Sequence, residues 1–395
     1  MGFLIENNVL KRYTEEDFIT EADIPDNVTV IGKNAFWGCS NLNSVVWPEN
    51  IKRIECNAFW GCSSLCTVNI PEGVEYIGEK AFYKCRNLIS VHIPKSVTFI
   101  GNSAFGGCYS LNTIKVNPEN QNYSDIDGNL FDKNGTMLIQ YAIGKTSPNY
   151  TVPDGVRTIE KKAFHYCYQI KSVTLPHSVS LIGDSAFQYC SYLETLSMSD
   201  NICSIGSRSF QFCRNLMSVR LPSEIKEISY GAFEGCEKLS DVVFSVHLAT
   251  IGCRAFQGCT SLVSVCLPDT LTAIGDRSFE NCTMLTLIRF SKKMNYIGDG
   301  AFSNCLSLKE AVLPDALNYI SCEMFYNCIQ LTSVIIPTNT KSIGDYAFYH
   351  CHNLNSIVIP QNVQAIGYHS FTGCIHYNSF QFPETLTSDV KRSVL

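Results

Sequence analysis

Phenylalanine returns every 23 residues along most of this 395-residue chain, and that period constrains the fold more tightly than any other feature. It stands at Phe36, Phe59, Phe82 and Phe105, then at Phe164, Phe187, Phe210, Phe233, Phe256, Phe279, Phe302, Phe325, Phe348 and Phe371, fourteen units in one register. Five positions before each Phe lies isoleucine, from Ile31 to Ile366. Three after it lies cysteine, from Cys39 to Cys374, and six after it leucine, except at Ile170 and Tyr377. The unit reads roughly IGxxAFxxCxxLxSVxIPxxVxx. So short a unit cannot enclose a core of its own, so each must bury its Ile, Phe, Leu and Val against the same residues of its neighbours.

The segment LxSVxIP alternates for a few residues and stops at a proline such as Pro71, Pro94, Pro176, Pro222 or Pro268, which cannot donate to a continuing ladder. It is a short strand, and equivalent strands are expected to form one parallel sheet along one face, about 4.8 Å apart. Glycine after the isoleucine, as in Gly32, Gly78, Gly101 and Gly183, suits either unusual dihedrals or close backbone approach. The second half of the unit is expected to turn a corner.

The composition, 45% apolar and 17% charged without a Pro/Ser-rich linker, argues for one continuous body. A net charge of -6 spread along the chain makes nucleic acid a poor partner, and no stretch has the roughly 18 apolar residues of a membrane span. The start MGFLIENNVLKRYTEED lacks the features of a signal peptide, so the sequence as it stands reads as cytoplasmic.

Two segments depart from the repeat. The interval from Phe105 to Phe164 is two units plus 13 residues, and Asn134-Gly135 between Leu130–Phe131 and Met137–Ile139 signals a hairpin. The N-terminus shares this pattern and is expected to form a hairpin covering the first coil. The expected organisation within one solenoid is a hairpin cap over 1–25, coils over 26–116, an irregular coil with a hairpin insertion over 117–153, coils over 154–383 and a tail over 384–395.

The units AFWGCSSLCTVNIPEGVEYIG and AFQGCTSLVSVCLPDTLTAIG resemble the BspA-type leucine-rich repeat of bacterial surface proteins and some protozoan parasites, over nearly the whole chain. The resemblance implies an α/β-class, mostly β, right-handed solenoid. It also implies protein recognition or adhesion at a host or neighbouring-cell surface, and so a surface or secreted location if the sequence has been trimmed. It implies no particular ligand, because such scaffolds keep the core and vary the exposed positions.

Chemistry has no row of its own. Fourteen of the 20 cysteines are in phase with buried Phe and Leu and read as small, reduced core residues, while Cys66 and Cys266 fall at outward strand positions. His350, His352, His369 and His376 approach one another in sequence but lack thiolate or carboxylate partners at ligand spacing. No phosphate-cradling, GxSxG or paired-carboxylate motif occurs, so neither an enzyme nor a cofactor or metal site is expected.

Recognition is the remaining reading, by a chain expected to be a monomer. Eight after each Phe the row is nearly all hydroxyl (Ser44, Thr67, Ser90, Thr113 and onward), which suits cross-strand hydrogen bonding. Ten after it the row varies, and His92, Lys115, Arg220, Val243, Arg289, Val312, Ile335 and Val358 are the candidate protein-binding residues, with β-branched strand packing as the alternative. Trp37, Trp60 and Tyr83 directly follow their Phe, and Tyr166, Tyr189 and Phe212 hold the next position. Each trio should stack and offers a platform for a protein segment or glycan if exposed, or corner packing if buried.

Overall fold

A computed structural model describes residues 2–14, 20–384 and 386, so the expected tail falls outside the described residues except at Glu384 and Leu386. The chain divides into two compact units, residues 1–171 with 182–190 and residues 172–181 with 191–395. Each is a stack of 23-residue coils built from short strands, with no α-helix among the described residues and a single 3-10 turn at Tyr377–Ser379. The architecture is the expected mostly β solenoid. A coil this short spends its remaining residues on tight turns.

In the first unit the LxSV segments form parallel strands such as Thr67–Asn69, Ser90–Ile93 and Thr113–Val116, paired in register one coil apart. The single expected sheet is joined by a second ladder. Two-residue strands ending on the repeat isoleucine (Val30–Ile31, Arg53–Ile54, Tyr76–Ile77, Phe99–Ile100) pair in parallel on another side of the coil. Segments of two residues are too short to show alternation, so they read as turn in the sequence.

A column of aromatic rings fills the interior. Phe36, Phe59, Phe82 and Phe105 stack with centroids 4.6, 5.1 and 5.6 Å apart, and Phe164 lies 4.6 Å from Phe187. Burying each ring contributes about 2–3 kcal/mol, and only neighbouring coils can provide the burial.

Both hairpins extend this column by the same device. Gly2–Glu6 pairs antiparallel with Val9–Thr14, Leu10 pairs with Ile31, and Tyr13 sits 5.0 Å from Phe36. In the insertion, Tyr123–Ile126, Asn129–Asp132 and Met137–Gln140 form two antiparallel pairs, Leu138 pairs with Ile159, and Tyr141 stacks 4.9 Å from Phe164. Tyr13 and Tyr141 each lie 23 residues before a repeat Phe, but only three residues after the leucine that pairs with the ladder isoleucine. The Asn134-Gly135 hairpin is present, with Gly135 at φ 69°. A second hairpin, turned by Asp127 at φ 49° and Gly128 at φ 66°, precedes it.

The second unit repeats the scheme. Its outer strands pair in short runs, Ser218–Arg220 with Asp241–Val243, Ser264–Cys266 with Leu287–Arg289, and Glu310–Val312 with Ser333–Ile335. Its phenylalanines from Phe210 to Phe371 stack at 5.2 to 5.8 Å.

The ladder cysteines are buried and free, and they have a polar task as well. The thiol of Cys62 donates to the carbonyl of Phe36 at 3.1 Å, Cys85 to Phe59 at 3.2 Å, and in the second unit Cys328 to Phe302 at 3.1 Å. Cysteine suits the slot because it is nearly apolar yet supplies a weak second donor to a carbonyl that already accepts from the turn amide three residues on, as Phe36 does from Cys39. Burial pushes these thiols up, to about 12 at Cys282 and Cys328, so they remain protonated and unreactive.

Of the two reasons for glycine after the isoleucine, close approach is the operative one. A Cβ on Gly78 would stand 2.4 Å from the nitrogen of Cys56 in the previous coil, and Gly78 is not among the residues at positive φ. Gly78→Ala should therefore destabilise the protein by roughly 2–3 kcal/mol, more than Gly155→Ala, where φ is 93° but nothing lies within 4 Å and the cost is about 1 kcal/mol. Urea unfolding midpoints measure the difference, and equal shifts contradict it. In native protein a thiol reagent should react promptly with the exposed Cys66, Cys203 and Cys266 and reach the ladder cysteines only after unfolding. Prompt labelling of Cys85 or Cys328 contradicts the burial described.

Candidate functional site

Two surfaces meet solvent with side chains released from core duty. On the outer strands alternate residues point away from the core, and all eight candidates are exposed. In the first unit His92 and Lys115 are cross-strand neighbours, and Lys115 also reaches Asp125 of the insertion at 3.1 Å. In the second unit Arg220 neighbours Val243 and Val312 neighbours Ile335, while Val358 bridges to Gln381 and Arg289 faces Cys266. Val312, Ile335 and Val358 are 60%, 61% and 55% exposed, and Leu287, in the hydroxyl row, adds an apolar residue. A shallow hollow lies between Leu287–Lys292 and Glu310–Asp315.

In the hydroxyl row Ser44 makes a cross-strand bond to its register partner Glu21, and Ser379 donates to backbone carbonyls, whereas the hydroxyls one position earlier, on Ser240, Thr286 and Thr332, donate to carbonyls of the previous coil. Strand direction places that earlier row over the neighbouring backbone and leaves the outward row in water.

The turns form the second surface. Two positions per coil take left-handed backbone, the third after the isoleucine and the second after the phenylalanine. The latter is Gly38, Gly61, Gly107, Gly235, Gly258 or Gly373 in some coils and Asn281, Asn304 or Asn327 in others. Lys84, Tyr166, Tyr189, Phe212 and His350 occupy the same slot at φ 57–64°, a conformation rare for bulky residues.

Trp37 and Trp60 stack with centroids 4.8 Å apart and planes 6° from parallel, and Tyr83 tilts against Trp60 at 4.4 Å. The row is graded, for Trp37 is 52% exposed, Trp60 half-buried and Tyr83 only 7% exposed beneath Gly106. Tyr166 and Tyr189 stack at 4.8 Å, while Phe212 belongs to the second unit. In both stacks ring faces are pressed on one another, so mainly edges and hydroxyls reach water.

Three residues around this second pair give no signal in the repeat. Tyr109 lies 5.7 Å from Tyr168 and 6.5 Å from Tyr166, and the buried His165 lies 4.1 Å from Tyr166 with its Nδ1 unpaired. Two of them share a position, for Tyr109 and Tyr168 each follow a Phe by four residues in the units flanking the irregular interval. Among the histidines near the C-terminus, His350 stacks on Tyr349 at 4.1 Å and His369 meets Tyr368 edge-on at 3.9 Å. Among the described residues no group of three or more His, Cys, Asp and Glu side chains could hold a metal ion, and no helix is long and apolar enough to cross a membrane.

Coils that share one core and differ in their exposed rows define a repeat scaffold of the leucine-rich class. The family model for the BspA type leucine rich repeat region, in 6 copies, matches residues 10–137, 144–252, 226–354 and 341–392, and the chain belongs to this family. The family is a non-enzymatic scaffold type, and leucine-rich repeat domains generally mediate protein interactions. A leucine-rich repeat protein from Eubacterium ventriosum is 28% identical over 75% of this chain and 88% of that one, with a TM-score of 0.67. One from Bacteroides ovatus is 25% identical over 95% and 90%, with a TM-score of 0.52. A leucine rich cell surface protein from Faecalibacterium prausnitzii is 26% identical over 73% and 92%, with a TM-score of 0.46. No curated protein matches the sequence.

His165 makes stability pH-dependent. Burial, reinforced by Lys162, lowers its pKa to about 4 from an ordinary 6.5. Between those values the unfolded chain binds a proton that the folded one refuses. The stabilisation is therefore complete above pH about 6.5 and declines as pH falls toward 4, by on the order of 3 kcal/mol. Wild type should lose on the order of 3 kcal/mol of unfolding free energy relative to His165→Gln between pH about 6.5 and about 4, with the difference between them constant above pH about 6.5. Parallel profiles contradict the assignment.

Proposed function

We propose that the chain is a non-enzymatic recognition scaffold that binds a protein partner through the outer strand face and adjoining turns, in the setting of adhesion or host contact. The observation that carries this reading is the outward row itself. Its neighbours one residue away, such as Val91, Val219 and Val334, are buried, while the row is exposed and differs from coil to coil in charge and size. Large apolar side chains held in water on adjacent strands, as at Val312 and Ile335, are costly to leave bare and are a recurrent mark of interaction surfaces. The basic members His92, Arg220 and Arg289 add directional contacts, and no catalytic chemistry is required of them.

Carbohydrate binding on the Trp37, Trp60 and Tyr83 row has less support. A sugar packs on an aromatic face, and in this row Trp60 has one face against Trp37 and the other toward Tyr83. The outer side of Trp37, beside Lys11, Arg12 and Lys33, is the remaining place for such a contact.

The test is capture of partners from a displayed surface proteome by wild type and by Arg220→Glu, Arg289→Glu and Ile335→Asp. At least one specific partner should lose tenfold or more in affinity with the melting temperature unchanged, the size expected when a central contact worth over about 1.4 kcal/mol is removed. If all three variants hold every captured partner as wild type does, the strand face is not the site.

A further inference from the structure

The insertion coil interrupts the turns of the first unit. In the preceding coils the amide two after each Phe donates to the next coil, Gly61 to the carbonyl of Tyr83 and Lys84 to that of Gly106. The Phe amides follow suit, Phe59 donating to Ala81 and Phe82 to Ala104. Among the described residues no such bond leaves Phe105 or Gly107. After Tyr141 the chain runs inward as buried Ala142 and Ile143, the Lys145 amide closes a turn on the Ala142 carbonyl, and the amide of Gly144 donates to the carbonyl of Leu111. The turn after Phe105 therefore meets the turn after Phe164 without a regular left-handed turn between them, and Tyr109 lies 5.7 Å from Tyr168.

The residues lining this notch share one chemistry. Gly106 and Gly107 leave its floor without side chains, so the ring of Tyr83 and the stem of Lys84 lie directly against the backbone. Tyr109, Tyr166 and Tyr168 form one wall, all half-buried, with the Tyr109 ring 6.5 Å from Tyr166 and 5.7 Å from Tyr168. Lys80 and Lys162 lie within electrostatic range of each other and of His165, the Lys84 ammonium lies 5.6 Å from the Tyr83 ring, and each lysine occupies a left-handed slot at φ 55–61°, as does Tyr166 at 64°. The cations crowd one another. Glu79 meets Lys80 at 3.0 Å, yet the Lys162 ammonium is disfavoured by burial and then by Lys80 and Lys161.

We propose that this notch, between the turns after Phe105 and Phe164, is a docking site for an acidic polypeptide segment. Its carboxylates would meet Lys80, Lys84 and Lys162. Its backbone carbonyl would accept from the amide of Gly107, and its apolar stems would pack on Tyr109, Tyr166 and Tyr168. Tyrosine suits such a surface because it offers large area and a hydroxyl for the loss of only two side-chain torsions. Opposite charge on the partner sets orientation and on-rate. The site rests on the reading of the chain as a recognition scaffold but lies on the turns, away from the outward strand row.

The experiment screens the full chain against an array of acidic decapeptides and titrates the best binder, with heparin and charge-neutral peptides in parallel. Saturable binding to acidic peptides is expected, weakened about tenfold by Tyr109→Ala and by Lys84→Glu, each at an unchanged melting temperature, and unaffected by Ile335→Asp. Three results overturn the proposal: no acidic peptide binds saturably, binding survives both notch variants, or heparin binds at the notch while acidic peptides do not. Because Ile335→Asp reports on the strand face and Tyr109→Ala on the notch, failure of one site is read separately from failure of the other.

Discussion

The spacing of one coil on the next is the constraint on which everything else depends. Rings stacked at about 5 Å and amides donating to carbonyls one coil further on leave no room for a coil of another thickness. That spacing fixes the core residues. It requires glycine where Gly78 meets the Cys56 backbone, and a small donor where the thiol of Cys85 meets the carbonyl of Phe59. A coil on its own has only half its contacts, so stability belongs to neighbouring pairs and end coils need covers. The hairpin of Gly2–Thr14 is such a cover in the first unit, with Tyr13 completing the ring column.

Much of this was legible because a repeat states its rules many times over. Ile31, Phe36, Cys39 and Leu42 are buried as their recurrence implied, and the outward positions are exposed. What escaped the sequence was information carried by neighbours in space. The second ladder has strands of two residues, too short for alternation to show. The equivalence of Tyr13 and Tyr141 to a repeat Phe was hidden by the shorter leucine-to-ring spacing, although a tyrosine 23 residues before a Phe was the available clue. The polar work of the cysteines depends on a carbonyl 26 residues away, and the graded exposure from Trp37 to Tyr83 depends on Gly106 covering the latter.

The candidate surfaces were legible unequally for the same reason. An outward strand row follows from alternation alone, so His92, Arg220, Arg289 and Ile335 could be picked by counting. The tyrosine cluster could not, because Tyr109 and Tyr166 become neighbours only where the coil containing Tyr141 turns inward in place of the regular left-handed turn. Regular coils repeat a surface as faithfully as they repeat a core. Where the stack departs from its rule, it brings together side chains that regular coils keep apart, in keeping with binding features that concentrate on turns held by a rigid scaffold.

The most direct test of coil-on-coil register is a pair of deletions within the second unit. Removing Val265–Leu287 takes out one whole period and rejoins Ser264 to Ile288, whereas removing Val265–Thr286 takes out one residue fewer and turns the rejoined strand over. If register governs the fold, the first variant keeps a cooperative unfolding transition close to that of the full chain, and the second loses it or unfolds at far lower denaturant. Equal stability of the two variants would contradict the dependence of every coil on the spacing of its neighbours.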